Sequence, residues 1–203
     1  MKNMKAKPTK IYHRFSLCLF MMLCMTACTT YSDICDSEKA GYKVAFLFAD
    51  TVEKNDKWYV AGFGGSFPDE KTVKKLSLSF DIYDRETTID EARVLLVEGI
   101  ESFLLKINQD QKLRPFLANY PFDCSNLGFG IGFLKTKGGF IKSEHIAHVF
   151  LVPEKKEIAY SVLDEKTGYL DTIHSEKYED ALKIVQSQKQ QSIAPQLAIP
   201  QSI

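Results

Sequence analysis

The sequence predicts an α+β fold: an antiparallel β-sheet of about five or six strands, one long amphipathic helix packed on one face, and one or two shorter helices. Two patterns are the basis of this prediction. Residues 76–83 alternate between apolar side chains and Ser, Asp or Tyr, which is typical of a half-buried strand. From Ala92 to Ile107, apolar side chains recur at helical spacing and charged ones fall mostly on the other side.

The segment before these two elements is ambiguous. In residues 38–56, Val44, Leu47, Phe48 and Val52 recur at helical spacing, whereas residues 44–49 alone also fit a buried strand. We favour a helix because charged residues flank the apolar run and no helix breaker interrupts it. Residues 58–63 then predict a strand, and the glycines at 62, 64 and 65 together with Pro68 predict the turn that follows it.

The long helix is predicted to begin at Thr88. The Thr88 hydroxyl can accept the backbone N–H of Glu91, and the Glu91 side chain can reach back to Thr88, which is a capping box. Pro115 and Pro121 prevent any continuation of the helix. Residues 109–126 are therefore predicted to form a turn-rich connector with one short helical turn.

The second half of the chain predicts a run of short strands. They lie at residues 127–134, 145–152, 157–163 and 169–174, with hairpin turns at 153–156 and 164–168. A last helix covers residues 178–186. Residues 187–203 are rich in Gln, Ser and Pro and predict a disordered tail. The single domain is thus expected to span residues 38–186.

Gly128, Gly130 and Gly132 alternate with large apolar residues in the first of these strands. One face of the strand is therefore bare backbone, which weakens a strand unless another backbone comes close or the sheet bends sharply there. Close packing of a helix and a sharp bend are the structural interpretations. The functional alternative is a flat apolar groove that binds an extended peptide or a lipid.

The first 28 residues have the pattern of an export signal. A basic segment precedes an apolar run at residues 15–25, which is too short for a transmembrane helix because crossing a bilayer takes about 20 apolar residues. The basic residues are Lys2, Lys5, Lys7, Lys10 and Arg14. The apolar run ends in Met25-Thr26-Ala27-Cys28.

This ending resembles the lipobox of bacterial lipoproteins, although Met25 stands where leucine is usual. The resemblance implies that residues 1–27 are removed, that Cys28 is acylated, and that the chain is held to a membrane by lipid. Residues 28–37 would then form a polar tether. Because Thr29 stands where many inner-membrane lipoproteins carry aspartate, the resemblance also implies the outer membrane, facing the periplasm. An ordinary cleaved signal and an uncleaved anchor remain alternatives.

Charge excludes one class of partner. The chain has 26 basic and 26 acidic residues, but five of the basic ones precede Cys28 and no acidic one does, so the remaining chain has a net charge near −5. Nucleic-acid-binding domains normally show a basic excess or patch. We therefore expect no nucleic-acid partner and no polybasic attraction to anionic lipid.

Two cysteines, Cys35 and Cys124, remain after removal of the leader and acylation of Cys28. In an oxidising compartment they are candidates for a disulfide. The alternative is two unrelated residues, one in the tether and one in a loop. No CxxC motif or Cys/His set with zinc spacing is present, so no metal or cofactor is expected.

Residues for catalysis are not grouped in the sequence. His145 and His148 lie three positions apart, which places them on opposite faces of a strand, and Asp81 and Asp84 have the same spacing. Neither pair is suited to a shared site. The sequence therefore gives no catalytic set, and a hydrolase would need residues brought together from distant positions.

The expected function is a structural or protein-interaction role at the envelope, with a protein or peptide partner. The alternative is a carrier or sensor that binds a small apolar ligand between the helix and the sheet, in a cavity lined by Phe103, Phe129 and Phe133. Arg114, beside Pro115 and near two aromatic residues, is a candidate partner contact or a local stacking contact. A filled core with an apolar surface patch would favour the interaction role.

Overall fold

Within residues 34–193, which the computed structural model describes, six strands follow one another across one sheet and three α-helices pack on one face of it. The strands are Tyr59–Ser66 (β1), Lys75–Tyr83 (β2), Leu127–Leu134 (β3), His148–Val152 (β4), Glu157–Leu163 (β5) and Leu170–Lys177 (β6). The helices are Asp36–Asp56 (α1), Ile89–Gln109 (α2) and Tyr178–Ile193 (α3). The fold is therefore α+β.

The sheet is mixed, so the prediction of an antiparallel sheet is wrong. Strands β2 and β3 run parallel, with Leu76 opposite Leu127 and Tyr83 opposite Leu134. The other neighbouring strands are antiparallel. The reason is the connection between β2 and β3: helix α2 crosses over the sheet and returns the chain to the end at which β2 begins, as a parallel pair requires.

Helix α1 confirms the helical interpretation of residues 38–56. Val44, Phe48 and Val52 lie on its buried side, and the helix ends before Lys57, which has a positive φ of 57°. Helices α1 and α2 are each 21 residues long. The prediction of one long helix with shorter companions is therefore wrong, since the domain has two long helices.

Helix α2 begins where the sequence predicts. The Thr88 hydroxyl accepts the backbone N–H of Glu91 at 3.3 Å, and the Glu91 carboxylate accepts the backbone N–H of Thr88 at 2.9 Å. Both halves of the capping box are formed. The connector after α2 contains two short 3₁₀ turns, at Arg114–Phe116 and Cys124–Asn126, where one helical turn was expected.

The ends of the domain differ from the predicted boundaries. Helix α1 begins at Asp36 and buries Ser37 completely, so the last two positions of the predicted tether 28–37 are helical. Helix α3 continues to Ile193, seven residues beyond the predicted end at Gln186. Gln, Lys and Ser are compatible with a helix, and the Ser187 hydroxyl donates to the Lys183 carbonyl at 2.8 Å. Residues 194–203 of the predicted tail lie outside the described residues.

Three strand boundaries also differ. Strand β1 includes Gly62, Gly64 and Gly65, so these glycines are not the turn after it. Strand β4 begins at His148 rather than at residue 145, and β6 extends to Lys177. Strands β3 and β5 have the predicted bounds.

The core lies between the central strands and the first two helices. Phe80 of β2 and Phe129 and Phe133 of β3 are buried on the same face of the sheet. The Phe103 ring of α2 lies 4.9 Å from that of Phe48 and 6.2 Å from that of Phe129, measured between ring centroids. These aromatic contacts fill the space between helix and sheet.

A buried ion pair joins the start of α2 to β6. The Arg93 Nε donates to the Glu176 carboxylate at 2.7 Å, and the Tyr160 hydroxyl donates to the same carboxylate. Burial and this hydrogen bond raise the pKa of Tyr160 well above its usual range, so the phenol stays neutral. Arg93 also donates to the Asp90 carboxylate, so removal of Arg93 would leave the Glu176 charge without its cation, whereas removal of Glu176 would leave Arg93 paired with Asp90.

Gly99 of α2 is the point at which helix and sheet approach most closely. A Cβ added there would lie 2.8 Å from two Phe129 ring atoms and 3.2 Å from the Trp58 ring. We expect Gly99→Ala to lower the free energy of unfolding by about 1–2 kcal/mol, because overpacking outweighs the gain in helix propensity. Urea unfolding measures the change. Gly64→Ala is the control, since its added Cβ meets no atom within 4 Å. A Gly99→Ala protein as stable as the wild type would contradict the packing described.

Candidate functional site

The residues predicted to line a ligand cavity belong to the filled core. Phe103 and Phe133 are completely buried and Phe129 nearly so, and their neighbours are other core side chains. They therefore offer no surface to a ligand or partner. The prediction of these three residues as a binding surface is wrong, because alternation places them on the helix-covered face of the sheet.

Arg114 forms local contacts within the connector. Its guanidinium carbon lies 4.3 Å from the centre of the Tyr120 ring, and the guanidinium also donates to the Tyr120 hydroxyl. A longer bond of 3.4 Å reaches the Asn108 carbonyl at the end of α2. These contacts fit the stacking interpretation of Arg114 and fix the connector against the helix.

The predicted disulfide is not formed, since Cys35 and Cys124 are both free thiols. The Cys35 sulfur lies 3.1 Å from the Ser37 hydroxyl at the start of α1, whereas Cys124 is buried in the connector. Burial raises the pKa of the Cys124 thiol, which keeps it protonated and weakly reactive. Cys28 and the leader 1–27 lie outside the described residues.

Residues of metal-binding type are scattered in residues 34–193, where no three of them are placed to hold an ion. His145 lies in the loop before β4, and its Nε2 is 3.3 Å from the Glu86 carboxylate. His148 is the first residue of β4. The two histidines are thus in different surroundings, but not on opposite faces of one strand as predicted, because His145 precedes β4.

The face of the sheet opposite the helices, here called the open face, carries small and polar side chains. In β2, β3 and β4 its residues are Ser77, Ser79, Asp81, Gly128, Gly130, Gly132, His148 and Phe150. Register aligns four positions across neighbouring strands: Asp81 is opposite Gly132, Gly132 is opposite His148, and His148 is opposite Ser161. The missing side chain at Gly132 leaves space that the Asp81 carboxylate enters.

Polar side chains from both sides lean over the glycines of β3. A Cβ added at Gly128 would lie 2.5 Å from Ser77 Oγ, and one added at Gly132 would lie 2.8 Å from Asp81 Oδ1. At Gly130 the added atom would lie 3.3 Å from His148 Nε2. The interpretation that a helix packs closely on these glycines is therefore wrong, because the approaching groups are side chains of neighbouring strands.

Asp81 and His148 reach this position without hydrogen-bond partners among the described residues. The His148 ring stacks on Phe150, with 5.0 Å between ring centroids and 22° between ring planes. Burial raises the pKa of Asp81 and lowers the pKa of His148, so in both groups it disfavours the charged form. Titratable groups with such shifts and no internal partner are typical of binding or catalytic sites.

The aligned Asp, His and Ser residues do not form a catalytic relay. Strand β3 lies between the strands that carry Asp81 and His148, and no side-chain hydrogen bond joins His148 to Ser161. Ser161 is 2% exposed, and its hydroxyl lies 3.2 Å from the Thr172 hydroxyl. A serine nucleophile has to be in hydrogen-bond reach of its base and open to substrate. This arrangement supports recognition rather than acyl transfer.

A second surface feature, here called the aromatic patch, consists of Tyr42, Phe46 and Leu47 of α1 and Phe63 of β1. The Phe46 and Phe63 rings lie 4.5 Å apart, and Tyr42 lies 5.3 Å from Phe63. Phe46, Leu47 and Phe63 are 47%, 46% and 48% exposed. An apolar cluster of this kind marks a contact with a protein or a membrane.

Sequence reasoning missed the open-face site for a specific reason. Asp81 and His148 lie 67 positions apart in the chain, and the pairing of β2 and of β4 with β3 brings Asp81 over Gly132 and His148 over Gly130. The alternating glycines were the one available signal.

No protein-family model matches the sequence, and no curated protein or solved structure is significantly similar to it. The residues and their geometry are therefore the basis for assigning a function. Between residues 34 and 193, none of the helices has both the length and the apolar character needed to cross a bilayer.

The lowered pKa of His148 predicts a pH effect on stability. Because the unfolded chain binds this proton near pH 6.5 and the folded protein binds it less readily, stability is lost as the pH falls below about 6.5. His148→Gln removes this loss. We expect that, between pH 7.5 and pH 5.0, the free energy of unfolding of the variant rises by up to about 1 kcal/mol relative to that of the wild type. Urea unfolding at the two pH values measures this change. If the difference in free energy of unfolding between the two proteins is the same at both pH values, the burial of the imidazole is contradicted.

Proposed function

We propose that the chain is a lipid-anchored protein of the bacterial cell envelope, held through acylated Cys28, whose domain binds another envelope protein through the open face. The membrane is the outer membrane, and the domain faces the periplasm. The observation that carries the binding role is the pair Asp81 and His148, which lie partly buried beside the glycines of β3 without hydrogen-bond partners among the described residues.

Anchoring is supported by the leader pattern and by charge. Residues 1–27 contain only basic charges, and Cys28 ends a lipobox-like motif. Each buried CH₂ of an acyl chain contributes about 0.8 kcal/mol, and stable attachment takes more than one chain or a second signal. Because the chain after the leader has a net charge near −5, basic residues do not supply that second signal. Multiple acyl chains on Cys28 do.

A protein partner is better supported than a small apolar ligand. The rings of Phe48, Phe103 and Phe129 pack against one another between the helices and the sheet, so core side chains occupy the space expected to hold a carried molecule around Phe103 and Phe129. Asp81 and His148 lie on the other side of the sheet, where they are partly exposed and have no hydrogen-bond partner among the described residues. Such a surface suits an extended protein segment, because the backbone N–H and C=O groups of the segment can pair with the side chains that lie over the glycines.

The chemistry of the open face specifies what the partner presents. The Asp81 carboxylate accepts hydrogen bonds only, so the partner places a donor over Gly132. The neutral His148 imidazole has one donor and one acceptor nitrogen, which suits a backbone amide. A backbone segment or a side chain such as Asn or Lys supplies both kinds of group. Its arrival pairs two groups that have no partner in the domain alone.

Site-specific crosslinking in native membranes tests this function. In one variant a photoreactive residue replaces Ser79, which is exposed on the open face next to Asp81. In a second variant of the same chain it replaces Lys106, which is exposed on α2. We expect one discrete adduct from position 79 and none of that mass from position 106. Loss of a hydrogen bond to a charged group costs about 1.5–3 kcal/mol, so Asp81→Asn with His148→Gln should reduce the adduct at least fivefold.

The same experiment includes Cys28→Ser, which should move the protein from the membrane to the soluble fraction. An adduct that survives Asp81→Asn with His148→Gln would contradict the open face as the binding surface. Equal fractionation of wild type and Cys28→Ser would contradict the anchor.

A further inference from the structure

The aromatic patch is not explained by binding at the open face. Its residues lie on α1 and on the side of β1 that faces α1, since Phe63 pairs with Leu78, whose side chain is in the core. Phe46, Leu47 and Phe63 leave nearly half of their surface exposed, although the Phe46 and Phe63 rings contact each other. The domain therefore keeps an apolar surface in the helical layer, away from the open face.

The charges around the patch are mostly paired within α1. Lys39 lies 3.8 Å from Asp36, and Lys54 lies 2.7 Å from Asp50. Lys43 is exposed one helical turn before Leu47 and has no ion pair among the described residues, whereas the Glu38 carboxylate is hydrogen-bonded to the Tyr42 hydroxyl. A ring of aromatic and aliphatic groups with a long cationic side chain beside it suits the boundary between lipid headgroups and acyl chains.

The length of the chain outside the domain limits what can reach the patch. Cys28 stands seven positions before Cys35, the residue that immediately precedes α1. Seven extended residues span at most about 25 Å. Phe46 lies ten residues into α1, which is about 15 Å along the helix axis. An acylated Cys28 thus holds the patch within about 40 Å of the bilayer at all times.

We propose that the aromatic patch docks on the bilayer that holds the acyl chains of Cys28. This inference rests on the lipid anchor of the proposed function. The short tether gives the membrane a high effective concentration at the patch, so even a weak apolar contact is populated. Helix α1 then lies along the membrane surface, and the open face, on the opposite side of the sheet, points toward the periplasm.

Fluorescence quenching by brominated lipid tests the docking. Phe46→Trp is made in the full chain, and the processed protein is purified from its host and reconstituted into phosphatidylethanolamine–phosphatidylglycerol vesicles with or without brominated acyl chains. Trp58, the single tryptophan of the sequence, is buried, so the wild type serves as the background. We expect brominated lipid to reduce the added emission at least twofold. Tyr169→Trp is the matched control, since Tyr169 is 74% exposed beside β6 at the other edge of the sheet, and its emission should be unchanged.

Flotation of the same vesicles distinguishes the lipid anchor at Cys28 from the docking of the aromatic patch. Protein that floats with the vesicles but shows no quenching at position 46 overturns the docking and leaves the anchor in place. Protein that does not float overturns both. If the emission of the tryptophan at position 46 changes only in native membranes and never in pure lipid vesicles, the patch binds a protein, and the docking on lipid is wrong. Quenching at position 46 together with flotation supports the inference.

Discussion

Burial of alternate residues of β2 and β3 beneath α1 and α2 is the constraint on which the rest of the structure depends. Leu78, Phe80, Phe129 and Phe133 point toward the helices, so the residues between them necessarily lie on the open face. A slip of one residue in either strand would exchange the two sets. The position of Asp81 beside the glycines of β3 is therefore a direct consequence of how the core is packed.

The two sides of the sheet carry different kinds of surface. The helix-covered face of the sheet contributes to the core. The aromatic patch lies on the same side of the domain, on the outer surface of α1 and on β1. The open face carries a carboxylate and an imidazole that the domain itself leaves without partners. In the proposed orientation the first surface rests on the membrane and the second is presented to the periplasm. A short tether serves this arrangement better than a long one, because it limits rotation of the domain away from the bilayer.

Local patterns predicted much of the fold. Alternation gave β3 and β5 with the observed bounds, and Thr88 with Glu91 gave the start of α2. The pairing of β2 with β3 was not predicted, because hydrophobic periodicity specifies which residues are buried but not which direction a neighbouring strand runs. The open-face site depends on that pairing, so only its glycines were noticed. The length of α3 was missed because Gln and Ser occur in helices and in tails alike.

The central claim is that export turns Cys28 into the lipid attachment point of this domain. Intact-mass analysis of the protein isolated from the membranes of its native host tests it most directly. The expected result is a chain that begins at Cys28 and carries the additional mass of acyl groups on that residue. A chain that retains residues 1–27, or one that begins at an unmodified cysteine, would contradict the claim.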